Sequence, residues 1–118
     1  MLFVLNQTNT IGNRYLAELR DVQIQQDRFR FRKNQERIGE ILAYEISKTF
    51  AYSAAEVQTP LGIAEVHLPD EQPVLGTILR AGLPLHAGML NFFDQSPSAF
   101  VTAYRKNHKS TGLSLIHI

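Results

Sequence analysis

Val74-Leu-Gly-Thr-Ile-Leu-Arg-Ala-Gly82 is the stretch that decides the fold. Val74 to Leu79 is a nearly continuous apolar run, which predicts a central strand buried on both faces. Arg80-Ala81-Gly82 ends it abruptly. Leu83–Phe93 then reads as a helix, with Pro84 tolerated in its first turn and Leu83, Ala87, Leu90 and Phe93 on one face. From Ser98 to Tyr104, Ala99, Val101 and Ala103 alternate with Phe100, Thr102 and Tyr104, as a strand requires. Strand, turn, helix and strand make a βαβ unit, so the expected class is α/β with an at least partly parallel sheet.

Upstream, Thr59-Pro60-Leu61-Gly62 predicts a turn, because proline fixes φ and glycine accepts positive φ. Ile63–Leu68 is a short strand, one of a small strand pair near 57–68, and Pro69–Pro73 is a loop. Ile38, Ile41, Leu42, Glu45, Ile46 and Thr49 recur at helical spacing, which predicts a helix over Gln26–Phe50 with Asp27 capping its first turn. Gly39 inside it costs about 1 kcal/mol relative to alanine. A shorter helix is expected near Asn13–Leu19, with Asn13 as its N-cap.

In open α/β sheets ligands sit at the C-terminal edge of the strands. That edge is where Arg80-Ala81-Gly82 falls. Gly82 permits close backbone approach or positive φ. The next helix start offers N–H groups and a partial positive charge, and Arg80 offers a planar donor fork. Together they predict an anion site for phosphate or diphosphate. The competing reading is that Arg80 pairs with a carboxylate while Gly82 only turns the chain. Tyr104-Arg105-Lys106 ends the following strand, so Arg105 is expected on the same edge. Neighbouring strands lie about 4.8 Å apart, within reach of two long side chains on one polyanion.

Arg28-Phe-Arg-Phe-Arg-Lys33 interleaves cations with aromatics, as single-stranded nucleic-acid platforms do. Residues 14–37 balance seven Lys/Arg with four Asp/Glu, however. The simpler expectation is a helix with both Phe near the core and the Arg stems along its surface. Over all 118 residues, 12 Lys+Arg meet 11 Asp+Glu for a net charge of +1. No global field draws in nucleic acid or an anionic membrane. Cysteine is absent, which removes disulfides, thiolate metal sites and a Cys nucleophile. No apolar run approaches the roughly 20 residues of a membrane span. Met1-Leu-Phe-Val-Leu-Asn6 lacks a basic n-region, so a soluble cytoplasmic domain is expected. His67, His86, His108 and His117 show no metal-ligand spacing, although His86 follows the Arg-Ala-Gly turn closely enough to touch a ligand.

The residues resemble one family, the uracil phosphoribosyltransferases. The resemblance rests on Thr77-Ile-Leu-Arg-Ala-Gly-Leu83, the Gly88-Met-Leu90 helix and Ala103-Tyr-Arg105. Leu19-Arg-Asp-Val22, Phe31-Arg32, Leu42-Ala-Tyr-Glu45 and Val57-Gln-Thr-Pro-Leu-Gly62 follow that family's order. It covers roughly residues 10–109. The resemblance implies a type I phosphoribosyltransferase fold, here in part: an N-terminal helical arm and the first strands of a parallel sheet. It implies conversion of uracil and phosphoribosyl diphosphate to UMP and diphosphate in the cytoplasm, with Mg²⁺ carried on the substrate and a homodimer. It assigns Arg80, Ala81 and Gly82 to the diphosphate, joined by Arg105 from a mobile segment. Pro84, His86 and Ala87 depart from the family's commonest helix, which puts that helix's polar contribution in doubt.

The family's acidic-Pro-Met-Leu-Ala-Thr-Gly-Gly loop for the ribose 5-phosphate and its uracil segment do not occur among these residues. Residues 1–112 are therefore expected to be the N-terminal portion of such a domain, inactive alone. Leu113-Ser-Leu-Ile-His-Ile118 has no counterpart in the family. It translates CTG-TCT-CTT-ATA-CAC-ATC, the end of a transposase-based sequencing adapter, so a non-native tail is expected there; a genuine strand is the competing reading. A non-catalytic, nucleotide-sensing RNA-binding relative is the alternative function, supported only by the Arg28–Lys33 run.

Overall fold

The computed structural model describes residues 2–105 and 113–117, with side chains described to Tyr104. After a single 3₁₀ turn at Leu5–Gln7 come α1 (Gly12–Arg20), a second 3₁₀ turn at Ile24–Gln26 and α2 (Arg28–Ser47). The strands β1 (Tyr52–Thr59) and β2 (Gly62–Pro69) form a hairpin. Next are β3 (Leu75–Leu79), α3 (Leu83–Phe92), β4 (Ser98–Arg105) and β5 (Leu113–His117).

Asp27 caps α2 as expected: its Oδ1 accepts the Arg30 amide at 3.0 Å. The start of α1 differs from the expected one. Its N-cap is Ile11, which has no side-chain cap, and Thr10 just before it accepts the Gly12 amide at 3.1 Å. Asn13 lies inside the helix, and its Nδ2 donates to Asn9. Both residue types cap well, and the hydroxyl that reached the first free amide won.

The helices α1 and α2 meet through a polar contact. Asn34 is fully buried. Its Nδ2 donates to Glu18 Oε1 at 2.8 Å, and its Oδ1 accepts from Arg37 at 2.9 Å. Arg37 in turn lies 5.2 Å from the Tyr15 ring centroid, and Arg30 reaches Glu18 at 3.2 Å. Asn34→Ala removes both bonds, while Glu18 keeps Arg30 and Arg37 keeps the Tyr15 ring. A loss of about 2 kcal/mol in urea-induced unfolding, with an unchanged slope, is expected.

Where α2 crosses α3 the contact is backbone on backbone. A Cβ on Gly88 would overlap the Glu36 carbonyl oxygen, and one on Gly39 would overlap that of Leu85. The apparent helix-propensity cost of Gly39 is thus the condition for this close crossing. The buried line of α2 runs through Asn34, Ile38, Gly39 and Ala43, and Ile46 is left outside at 41% exposure. Asn91 of α3 clamps the crossing by donating to Glu36 at 2.8 Å and Glu40 at 3.1 Å.

The Asn91 amide first, then Lys33, hold the Glu36 carboxyl below its ordinary value of 4.5, against a small opposing effect of burial. A lowered folded pKa stabilises the fold above the unfolded value and loses that stabilisation as pH falls through the folded one. Glu36→Gln should therefore show a shallower fall in melting temperature from about pH 6 to about pH 3 than the parent.

The sheet has the order β3-β4-β5. Pairing of β3 with β4 is parallel, with Leu75 opposite Ser98 and Leu79 opposite Thr102, so the expected βαβ unit is present. The backbone of 113–117 pairs antiparallel to β4, which its alternation favours whatever the origin of those residues. One expectation fails: β3 is not buried on both faces. Leu75 is buried, but Val74 is 65% and Ile78 58% exposed, because α3 covers only one side and β3 is an edge among the described strands.

The β1–β2 hairpin turns at Pro60-Leu61, with Gly62 at φ 135° as expected. Thr59 Oγ1 donates to the Gly62 carbonyl at 2.6 Å and accepts the Leu61 amide at 3.3 Å. The strands pack chiefly on each other. This gives a long molecule, 66 × 35 × 29 Å, with a radius of gyration of 18.4 Å, against about 13.5 Å for a compact chain of this length.

Candidate functional site: the Arg80 turn

The site is built by the strand-to-helix passage. β3 ends at Leu79, the Leu79–Arg80 peptide is cis, and α3 begins at Leu83. Gly82 sits at φ −76°, ψ −10°, so it is not there for positive φ. It is there for space: a Cβ would overlap the Thr77 hydroxyl and lie 2.8 Å from the Ile78 carbonyl oxygen. The turn folds back onto its own strand, with Gly82 N–H donating to Ile78 at 3.0 Å and Leu83 N–H to Arg80 at 3.1 Å.

Those bonds change the expected donor set. At the start of α3 the Leu83 and His86 amides are engaged and Pro84 has none, so the helix start is not an open row of donors; Leu85 alone keeps an amide without an acceptor among the described residues. The other free groups belong to the turn itself. Arg80 and Ala81 are both exposed, and the described residues supply no acceptor for their amides. The Arg80 guanidinium makes no ion pair among the described residues; the ion pairs found there join Arg30, Lys33 and Lys48 to carboxylates. The reading of Arg80 as a structural ion-pair partner therefore has no carboxylate to support it. What remains is a permanent, unneutralised cation beside free amides at the C-terminal edge of two parallel strands. That arrangement can hold phosphate oxygens.

Arg105 closes β4, three residues past the Thr102 that pairs with Leu79. Its backbone is thus on the same edge as Arg80. Its side chain and Lys106 lie outside the described residues, as does His108.

His86 does not face the turn. Its Nε2 is 2.9 Å from Ser98 Oγ and its ring is 5.3 Å from that of Phe100. It is anchored at the start of β4, the opposite end of the sheet. Thr77, to which the sequence assigns no role of its own, carries the hydroxyl on which Gly82 packs. Its sequence signal is its place at the head of the Thr77–Leu83 motif.

The basic run at the start of α2 is also sorted. Arg30 binds Glu18, and Lys33 binds Glu36 at 3.3 Å. Phe29 is 67% exposed, contrary to the expected core position, because the helix turns its Asn34–Ile38 side inward. Among the described residues no cluster of three or more His, Asp or Glu could hold a metal, and no helix is long and apolar enough to cross a membrane.

Residues 6–115 match the family model described as "Uracil phosphoribosyltransferase". The chain belongs to the uracil phosphoribosyltransferase family. The matched span contains the Arg80 turn, α3 and all of β4. A curated uracil phosphoribosyltransferase of Porphyromonas gingivalis is 55% identical over 102 residues, covering 86% of this chain and 47% of that protein. One from Sulfurisphaera tokodaii is 37% identical over 108 residues, covering 89% of this chain and 48% of its own length. The chain spans about half the length of these uracil phosphoribosyltransferases. In shape it is similar to the AQ2163 protein of Aquifex aeolicus, with a TM-score of 0.76 over 98% of this chain and 54% of that one. At 23% identity that likeness speaks for the fold alone.

Proposed function

We propose that a protein carrying this chain performs pyrimidine salvage: uracil and phosphoribosyl diphosphate give UMP and diphosphate. The observation that carries this is the exposed Arg80, with no ion-pair partner among the described residues, on a turn closed by Gly82 at the edge of a parallel βαβ unit, in a chain of this family.

In that reaction the bond between ribose C1 and the diphosphate oxygen breaks, uracil N1 bonds to C1, and the N1 proton is released to solvent. Negative charge grows on the departing diphosphate. Donors already aimed at it favour the transition state over the bound substrate. Arg80, with the Arg80 and Ala81 amides, fills that role here, and Gly82 lets the turn close tightly enough to present them. Arg105, placed on the same edge, is the second cation. Mg²⁺ would be carried on the phosphoribosyl diphosphate, where it would offset charge on the departing diphosphate. The family's ribose 5-phosphate loop and uracil segment do not occur among these residues, so the share of the reaction assigned to them is the diphosphate end. The working enzyme is a cytoplasmic homodimer.

The test is UMP formation by the 118-residue chain and by a natural chain that continues past residue 109. Formation of UMP by the longer chain alone is expected. A longer chain that retains RNA in a salt-dependent manner and makes no UMP would replace the enzyme with the RNA-binding reading.

A further inference from the structure

A cavity of about 480 Å³ lies at the end of the sheet opposite the Arg80 turn. It opens between the C-termini of α2 and α3 and the base of the hairpin. Four aromatic rings line it: Phe50, Tyr52, Phe92 and Phe93. Phe50 and Phe93 fix each other, with centroids 5.5 Å apart, and the Tyr52 hydroxyl is tied to the Ser47 carbonyl at 2.7 Å. A bond of 2.9 Å from Gln72 to Gln95 straps one wall. The cavity is thus an organised aromatic hollow of the size that small ligands occupy.

Its charge is one-sided. Glu71 and Asp94 are on the wall, and none of the lining residues is Lys, Arg or His. Asp94 has no hydrogen-bond or ion-pair partner among the described residues, and Glu71 accepts only the Ala51 amide, at 3.2 Å. The nearby Lys48 is drawn off, 3.1 Å from Glu45 and over the Tyr44 ring. Both helices that end here lack a basic residue in their last turn, and the one cation at a C-cap, Lys48, is turned to Glu45, so the C-terminal dipoles add partial negative charge. Aromatic faces, carboxylates and helix C-termini all favour the same occupant, a cation with an apolar body.

We propose that this cavity is a binding site for a small organic cation, an ammonium or guanidinium group carried on an apolar body. It is separate from the Arg80 turn in place and opposite in charge, and it does not depend on the reaction proposed above.

The probe is 2-phenylethylammonium chloride, titrated into the 118-residue chain and followed by amide chemical shifts. Its neutral analogue 2-phenylethanol serves as the control. Saturable shifts confined to residues 47–52, 68–73 and 92–96 are expected, with the alcohol binding about tenfold more weakly. The pair Glu71→Gln and Asp94→Asn should weaken ammonium binding by about fivefold to tenfold and leave the alcohol unchanged. The carboxamide that replaces the Glu71 carboxylate keeps an oxygen for the Ala51 amide, so the hairpin base stays anchored. Equal binding of ammonium and alcohol, shifts scattered over the acidic surface, or an unaltered affinity in the double variant would each overturn the proposal.

Discussion

Arg80→Ala, made in a natural chain that continues past residue 109, is expected to lower kcat/KM for phosphoribosyl diphosphate by roughly a hundredfold while the uracil KM changes little. The asymmetry follows from position. Arg80 is an exposed guanidinium with no carboxylate partner among the described residues, so its removal breaks no structural ion pair there and leaves melting unaltered. What is lost is a charge-assisted donor fork for the leaving diphosphate. Arg80→Lys restores the charge without the planar fork, and an intermediate rate is expected. Steady-state kinetics with each substrate varied in turn reads both effects. An equal loss for uracil and phosphoribosyl diphosphate would mean that Arg80 shapes the whole site rather than the diphosphate end.

Gly88→Val is expected to have the largest effect on the fold itself. The new side chain would have to occupy the space of the Glu36 carbonyl and approach the Glu40 amide. Neither is a flexible group that can step aside. The helices must separate, which opens the packing around Ile38 and Ala43 and pulls Asn91 from Glu36 and Glu40. A loss of about 3 kcal/mol or more is expected, enough to leave much of a marginally stable chain unfolded at 37 °C. Thermal melting by circular dichroism measures it. Gly76→Ala is the control, since a Cβ there meets nothing within 4 Å.

The parts legible in the sequence were those set by local patterns. The βαβ unit, the Asp27 cap and the Gly62 turn each rest on residues within a few positions of one another. The strand-to-helix turn at Arg80 was legible for the same reason: a strand, an arginine and a glycine in close succession. Features set by distant partners were not. Val74 and Ile78 read as buried because they are apolar, but burial needs a layer on each side, and α3 supplies one. Phe29 read as core because the helix phase was taken from its apolar residues, whereas Gly39, Gly88 and the buried Asn34 fix that phase. Gly82 was expected to serve through either φ or space, and only the folded turn separates the two. The tie between His86 and Ser98 joins residues twelve apart, with no pattern between them to announce it.

The glycine crossing of α2 and α3 also bears on how a ligand would be captured. The Arg80 turn is continuous with the first residue of α3, and α3 is seated by main-chain contact that has almost no rotamers to sample. The backbone of the turn therefore has little conformational entropy left to lose, and what an incoming anion would have to order is the exposed Arg80 side chain. The backbone share of the binding cost is met during folding rather than at encounter. Capture at this edge should accordingly be limited by diffusion and by the ordering of whatever closes over the turn, with the turn itself acting as a rigid anvil.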